Sequence, residues 1–211
     1  MADRYDTSNN PEGQFQSGSN DQVLANKLGI IDPIEMDEVE LGLLDDLTIA
    51  LIEEIEMDQC LTVEDLCEWH RRWLGNVFSW AGQHRSVNMS KSGFPFAASQ
   101  LIPDLMNKFD EGSPGFLKTM TPCEGLDDEQ LLRALAEVHI EFILIHPFRE
   151  GNGRLGRLLT TIMALQAGMP PLDFTYLSTH MDEYIEAIHA GMDNVEPMTN
   201  LFRQVLQQSV S

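Results

Sequence analysis

The feature that most constrains this chain is an apolar register running without a break from Leu131 to Ile145 and ending at His146-Pro147. Leu131, Leu135, Val138, Phe142 and Ile145 recur at three or four residues, and Leu132, Ala136 and Ile143 fill a second face. That spacing is helical, and a helix apolar on most sides belongs in the middle of a core. Asp127, with Gln130 three positions on, supplies a capping box for its start. A second periodic run, with Leu155, Leu158, Leu159, Ile162 and Met163 in register, covers 153–167 and stops at Gly168 and Pro170. Two buried helices joined by a short polar turn are the frame into which the rest must fit.

Other helix signals surround this pair. Asp32 with Pro33 at the first helical position and Glu35 beyond it reads as a capping box, as does Thr62 with Asp65 for a helix running towards Leu74. Further helices are expected near 179–191 and 196–208. Between Gln83 and Phe96 polar and apolar residues alternate and then give way to Ser-Lys-Ser-Gly, which suits a short hairpin. The expected fold is all-α, mainly helical, with one small β-hairpin. With 211 residues and 43% apolar content, one sizeable core and one domain over 22–211 are expected. Residues 1–21, rich in Ser, Asn, Gly, Asp and Gln, should be extended or mobile unless they wrap onto that domain.

Charge and cysteines narrow the function classes. Thirteen Lys plus Arg against 34 Asp plus Glu give a formal −21, a surface that repels nucleic-acid backbones and anionic lipids. Cys60, Cys67 and Cys123 lack metal-ligand spacing and read as reduced thiols. The first residues have no apolar core of a signal peptide, and no apolar run approaches the roughly 18 residues a membrane helix needs. A soluble, cytoplasmic protein without direct nucleic-acid or membrane binding is the expectation.

The chemistry concentrates in the turn, His146-Pro147-Phe148-Arg149-Glu150-Gly151-Asn152-Gly153-Arg154-Leu155-Gly156-Arg157. A helix beginning near Gly153 aims its free N–H groups and the positive end of its dipole at whatever occupies the preceding loop. Gly151 and Gly153 let the backbone approach an anion and adopt positive φ. Arg154 and Arg157, about one turn apart, can hold phosphate oxygens. Glu150 offers a hard oxygen to Mg²⁺, and a neutral His146 at the rim could take a proton from an incoming hydroxyl. Together these groups suit attack of an alcohol on a phosphoryl group.

The same stretch also satisfies the dinucleotide fingerprint, Gly151-x-Gly153-x-x-Gly156, with Asp173 downstream. Two observations oppose it. The register before it is helical rather than strand-like, and only 55 residues follow Gly156, too few for the remaining βαβ units.

The twelve residues resemble the signature of the Fic family, His-Pro-Phe-x-(Asp/Glu)-Gly-Asn-Gly-Arg-x-x-Arg, with every specified position filled. Weaker similarity includes Phe78-Ser79-Trp80-Ala81-Gly82 with Arg85, the region 86–95, and Gly18-Ser19-Asn20 with Leu28-Gly29-Ile30, so the likeness spans roughly 17–205. The resemblance implies Mg²⁺-dependent transfer of AMP from ATP to a hydroxyl of a target protein, with release of pyrophosphate. By motif position His146 would be the general base and Glu150 the Mg²⁺ carboxylate. Gly151, Asn152, Gly153 and Arg154 would cradle the phosphates, and Arg157 would hold the terminal one. Ser90, Lys91, Ser92 and Gly93 resemble the family's target-binding flap, and Tyr184 its adenine-pocket tyrosine. Gly153 favours nucleotide transfer over the phosphate transfer of the sister Doc group, which carries lysine at that position. Small bacterial members it resembles modify DNA gyrase and topoisomerase IV, which makes those the first candidate targets. Transfer of another nucleotide, removal of AMP, and non-enzymatic ATP binding with a held but unmodified partner remain open.

Members of the family are commonly silenced by a helix bearing Ser/Thr-x-x-x-Glu-Gly/Asn, whose glutamate occupies the second motif arginine. Ser8-Asn9-Asn10-Pro11-Glu12-Gly13 has those letters, which makes Glu12 a candidate inhibitor, yet Pro11 disfavours helix there. A toxin-like enzyme restrained by a separate antitoxin carrying such a helix is the alternative, and the preferred one. His139 and Glu141 lie two apart on a helix and diverge by about 200°, so they read as structural. His70, His84, His180 and His189 give no signal, and Trp69, Trp73 and Trp80 read as packing residues.

Overall fold

The computed structural model describes residues 10–91, 93–111 and 116–210. It is mainly helical. In chain order come α1 (Pro33–Glu54), α2 (Val63–Leu74), the strands β1 (Ser90–Lys91) and β2 (Phe94–Pro95), α3 (Ile102–Glu111) and α4 (Phe116–Met120). Then follow α5 (Asp128–Ile145), α6 (Asn152–Gln166), α7 (Thr175–Thr179), α8 (Met181–Ala190) and α9 (Glu196–Ser209). The strands form one antiparallel hairpin in which Ser90 pairs with Pro95 and Lys91 with Phe94. No helix among the described residues is long and apolar enough to cross a membrane.

The expected central pair is present. α5 and α6 pack on each other, with α9, α3 and α8 around α5 and with α1 and α2 against α6. Leu131, Leu135, Val138, Phe142 and Ile145 are buried, and so are Leu132, Ala136 and Ile143 of the second face. Gly156 explains how closely the two helices approach. A Cβ there would lie 3.2 Å from Phe142 and 3.3 Å from both His139 and Ile143.

Local signals hold where side chains cap helices. Thr62 and Asp65 close a reciprocal box at the start of α2, and Asp127 and Gln130 close another at α5. At α1 only half of the expected box forms: Asp32 accepts from the Ile34 N–H at 2.8 Å, with Pro33 in the first turn. α3 and α4 were not foreseen, although Ile102, Leu105, Met106 and Phe109 repeat at helical spacing along α3.

Residues 10–21 wrap onto the domain. Pro11–Gly13 form one 3₁₀ turn, capped by the Asn10 side chain, and Glu12 and Ser19 are buried. The reason is polar rather than apolar: this segment lies down through hydrogen bonds and one buried carboxylate, which a scan for apolar residues does not register.

Candidate active site

His146 caps α5. Its backbone N–H closes the last turn onto Phe142 at 2.9 Å, and its φ of 53° places it in the left-handed region, uncommon for a residue with a side chain. That conformation turns the chain out of the helix and lays the imidazole on the cavity wall. Nδ1 lies 3.2 Å from the Ile143 carbonyl, which can only accept, so Nδ1 carries the proton and Nε2 keeps its lone pair. Phe96, just past β2, stacks on the ring at 3.7 Å and 7°. Burial, with smaller contributions from Arg85 and Lys91, pushes the imidazole down to about 4, against a weaker opposing effect of the Ile143 carbonyl. His146 is therefore a neutral base at physiological pH.

The turn after it is held from three directions. His70 of α2, fully buried, accepts from the Gly82 N–H at 2.7 Å through Nδ1, so its Nε2–H donates to the Glu150 carbonyl at 3.1 Å. The same ring stacks on Phe148 at 4.1 Å. Asn152 folds its side chain back, accepting from the Phe148 N–H at 2.9 Å and donating to the Phe148 carbonyl at 2.7 Å. Arg85, 2% exposed, donates to the carbonyls of His146, Val87, Ala97 and Ile145 at 2.7, 2.6, 2.7 and 3.3 Å. Two of these acceptors end α5 and two flank the hairpin, so one guanidinium ties the turn after His146 to the hairpin root.

Gly151 has no substitute at the start of α6. Its φ is 81°, and a Cβ would meet the Trp73 ring at 2.5 Å. The first intrahelical bond runs from Leu155 N–H to Gly151, which leaves the N–H groups of Asn152, Gly153 and Arg154 at the free end of α6. Gly153 is helical rather than at positive φ, as had been expected of it, and a Cβ there would meet nothing within 4 Å. The space beyond it is open to a bound group.

These pieces line one cavity of about 420 Å³. Met89, Ser90 and Lys91 from the flap side, His146 and Arg149 to Gly153 from the turn, Arg157, and the α8 residues Met181, Tyr184, Ile185, Ile188 and His189 form its wall. Among the lining residues Lys91, Arg149 and Arg157 are cationic and Glu150 is the one acid, a positive site in a chain of net charge −21. The α8 end is apolar. Tyr184 is buried, its hydroxyl 2.8 Å from His139 Nε2. Phe94 of the flap stacks on His189 at 4.3 Å. Ser90 and Lys91 lie in β1, and Gly93 turns the hairpin with a φ of 84°. Ser92 lies outside the described residues, as do Ser8 and Asn9.

Two expected site residues lie elsewhere. Arg154 leaves the cavity and pairs with Glu40 of α1, and reaches Glu150 at 3.4 Å. The Glu12 carboxylate accepts from the Ser86 N–H at 2.8 Å and does not engage Arg157, because the turn containing Pro11 is no inhibitory helix. Arg157 faces the cavity, and its buried Nε has no partner. His70, Arg85 and Glu40 carried no site role in the sequence. Only the burial side of α2, shared by Trp69, His70, Trp73 and Leu74, could have marked His70 as inward-facing.

Glu150 suits Mg²⁺. Its Oε1 accepts from the Gly151 N–H at 2.9 Å, its side chain is 41% exposed, and it is the cavity's one acid. Among the described residues no group of three or more His, Cys, Asp or Glu could hold a metal by itself. Mg²⁺ commonly binds through one or two carboxylates with waters and substrate phosphates, and this donor set fits that habit.

Residues 60–164 match the sequence profile of the Fic/DOC family. The chain belongs to that family. A Fic protein of Salmonella typhimurium is 28% identical over 99% of this chain and 98% of its own length. The protein adenylyltransferase Fic of Nematostella vectensis is 28% identical over 84% of this chain, which spans 39% of that relative's length. The BepC effector of Bartonella tribocorum, solved with bound AMPPNP, superposes with a TM-score of 0.74 at 24% identity, covering 92% of this chain and 96% of that one. That likeness carries the Fic fold, helices and hairpin together.

Proposed function

We propose that this chain is a protein adenylyltransferase: it transfers AMP from ATP to a hydroxyl side chain of a target protein and releases pyrophosphate. The observation that carries the reading is a neutral His146, with Nε2 unprotonated, on the wall of a cationic cavity that also receives the free N-terminus of α6. The names of relatives such as the Nematostella adenylyltransferase support it, as does the AMPPNP of BepC.

In this reading the triphosphate lies over Gly151, and the free backbone N–H groups of Asn152, Gly153 and Arg154 meet its oxygens with the helix dipole behind them. Arg157 takes the terminal phosphate. The purine faces the apolar α8 wall beside Tyr184. Glu150 holds Mg²⁺, which when bound neutralises phosphate charge. A target segment lies along the hairpin at Ser90, Lys91, Ser92 and Gly93, by strand-like pairing. Its tyrosine, serine or threonine hydroxyl gives its proton to His146 Nε2 as the oxygen attacks the α-phosphorus, and the bond to pyrophosphate breaks. The bonding scheme leaves His146 protonated, and loss of that proton to water resets the base.

Partners follow from the same reading: a cytoplasmic protein target, with DNA gyrase and topoisomerase IV first to be tried, and a separate antitoxin supplying the glutamate that blocks Arg157. The deciding experiment is labelling of bacterial lysate with a tagged ATP analogue and mass spectrometry of the labelled band, wild type beside His146→Ala. Label on a target hydroxyl, lost in a folded His146→Ala, is the expected result. Equal labelling by both would remove His146 from the mechanism. Competition by CTP, GTP and UTP tests the choice of base, and absence of any AMP-mass adduct would favour simple ATP binding.

A further inference from the structure

We propose that Glu12 is a positioning residue, one whose carboxylate and carbonyl together brace the catalytic turn and the flap root, so that the N-terminal segment supports the reaction instead of silencing it. The inference rests on the AMP-transfer reading for its effect on rate, and on contacts alone for its effect on the turn.

Glu12 is 8% exposed in the 3₁₀ turn Pro11–Gly13. Asn10 fixes that turn twice: Oδ1 accepts from the Glu12 N–H at 3.1 Å and Nδ2 donates to Ser86 Oγ at 2.7 Å. Glu12 then grips two places about 60 residues apart in sequence. Its Oε2 accepts from the Ser86 N–H at 2.8 Å, next to Arg85. Its carbonyl accepts from Arg149 Nε at 2.7 Å, inside the catalytic turn and on the cavity wall.

The charges explain why a carboxylate is needed there. Arg85 and Arg149 repel one another, and burial disfavours both cations; Glu12 attracts both. The partners that hydrogen-bond the Arg85 guanidinium are all carbonyl oxygens, of His146, Val87, Ala97 and Ile145. Carbonyl dipoles orient it without neutralising it, and charge repulsion is strong in a partly desolvated setting. Without the Glu12 carboxylate, Arg149 keeps the attraction of Glu150, while Arg85 keeps the repulsion of Arg149 and loses the acid that offsets it. A shift of either moves the cavity: Arg149 lines it, and Arg85 holds the carbonyl of His146 itself. Arg157, the arginine that an inhibitory glutamate would need, has no contact with Glu12, so the two roles give opposite signs.

The test uses the full chain with Glu12→Ala and Glu12→Gln, the second keeping an acceptor for Ser86 while losing the charge. Three measurements are made well below each variant's Tm: the initial rate of tagged-AMP incorporation into lysate proteins per folded molecule, the Kd for AMPPNP with Mg²⁺, and amide exchange over 85–97 and 146–152. The rate should fall about tenfold to a hundredfold in Glu12→Ala, the scale of a lost charge-assisted bond, and less in Glu12→Gln. The Kd should move by less than about threefold, because the cradle of α6 is untouched and positioning losses fall on the chemical step. Amides of the turn should exchange faster. A folded Glu12→Ala that works at the wild-type rate or faster overturns the proposal, the faster rate pointing to inhibition. Should wild type incorporate no label, the AMP-transfer reading fails by itself, and exchange decides: unchanged exchange over 146–152 overturns the bracing role. Should Glu12→Ala not fold, Glu12→Gln is judged by the same criteria.

Discussion

Arg154 turns its guanidinium onto Glu40, a carboxylate of α1 that is 3% exposed, instead of into the cavity that its own helix opens onto. The guanidinium lies 4.9 Å from the centre of the Trp73 ring, and Trp73 Nε1 donates to the Glu40 carbonyl at 2.8 Å. Burial pushes the Glu40 carboxyl up by more than Arg154 pulls it down. Attraction therefore does not overcome the effects that raise the carboxyl, desolvation first among them, as is common for buried pairs. What the pair supplies is geometry: it fixes α1 against the start of α6, beside Glu150 and the ring that bounds Gly151.

Removing one partner should cost far more than the pair is worth. Glu40→Ala leaves Arg154 largely buried with only the more distant, exposed Glu150 as counter-ion, and a loss of about 3 kcal/mol of folding free energy is expected. Urea unfolding of the two proteins side by side measures it. A double change to apolar residues, Glu40→Leu with Arg154→Met, should recover most of that loss. If the double variant is no more stable than Glu40→Ala, desolvation is not the dominant effect at this site.

Gly151 and Gly153 should respond oppositely to alanine. At Gly151 a Cβ meets Trp73 at 2.5 Å on a backbone with φ of 81°, so Gly151→Ala carries both overlap and left-handed strain. A loss of at least about 2 kcal/mol is expected, lowering Tm by roughly 4 to 8 °C in a chain of this size. Gly153→Ala enters open space within a helix, where alanine is favoured over glycine by about 1 kcal/mol. Tm should hold or rise. Nucleotide affinity should fall all the same, since the added methyl faces the space in which the phosphates are proposed to lie.

Stability should fall with acid earlier than carboxylates alone would dictate. His70, His139 and His146 are each pushed down to about 4 in the folded state, by burial above all. Their unfolded value is about 6.5. The unfolded chain thus binds more protons between those limits. The stability these groups contribute is complete above about pH 6.5 and is lost as pH falls towards about 4. Each histidine adds up to about 1.4 kcal/mol per pH unit inside that window. Glu40 and Glu141, whose carboxyls burial raises, take up protons in the folded state first and oppose the trend at its acid end. Urea unfolding at pH 7.5, 6 and 5 checks the slope, and equal free energies at the three values would contradict it.

The helical frame and the motif were readable because each rests on a local rule. The register Leu131–Ile145 announces burial on most faces, and the two capping boxes at Thr62 and Asp127 fix where helices begin. The hairpin over 86–95 was readable from its turn residues, and β1 and β2 fall within it. What remained hidden depends on contacts distant in the chain. Glu40 lies 114 residues from Arg154, and Glu12 lies 137 from Arg149, so no spacing rule links them. Both arginines stand in a motif whose letters suggest phosphate, while the partners that decide where they point lie far upstream. His70 was hidden for another reason. Its place beside Trp69, Trp73 and Leu74 on α2 marks an inward-facing ring, but nothing in the sequence shows that the ring grips the Glu150 carbonyl.

The two motif arginines should separate under mutation. Arg157 lines the cavity with an unpartnered, buried Nε and pairs with no acid among the described residues, so Arg157→Ala removes little that the folded chain uses. Its stability should stay within about 0.5 kcal/mol of wild type. Affinity for Mg²⁺ with AMPPNP should drop about tenfold to a hundredfold, the scale of a lost bond to a charged group. Arg154→Ala should do the reverse. It strands the Glu40 carboxylate and costs about 3 kcal/mol of stability, while affinity per folded molecule changes less than in Arg157→Ala. Calorimetric titration of both variants, with unfolding curves on the same samples, resolves the comparison. Equal loss of affinity in both would mean that Arg154 leaves Glu40 when nucleotide arrives, and that the pairing belongs to the free protein alone.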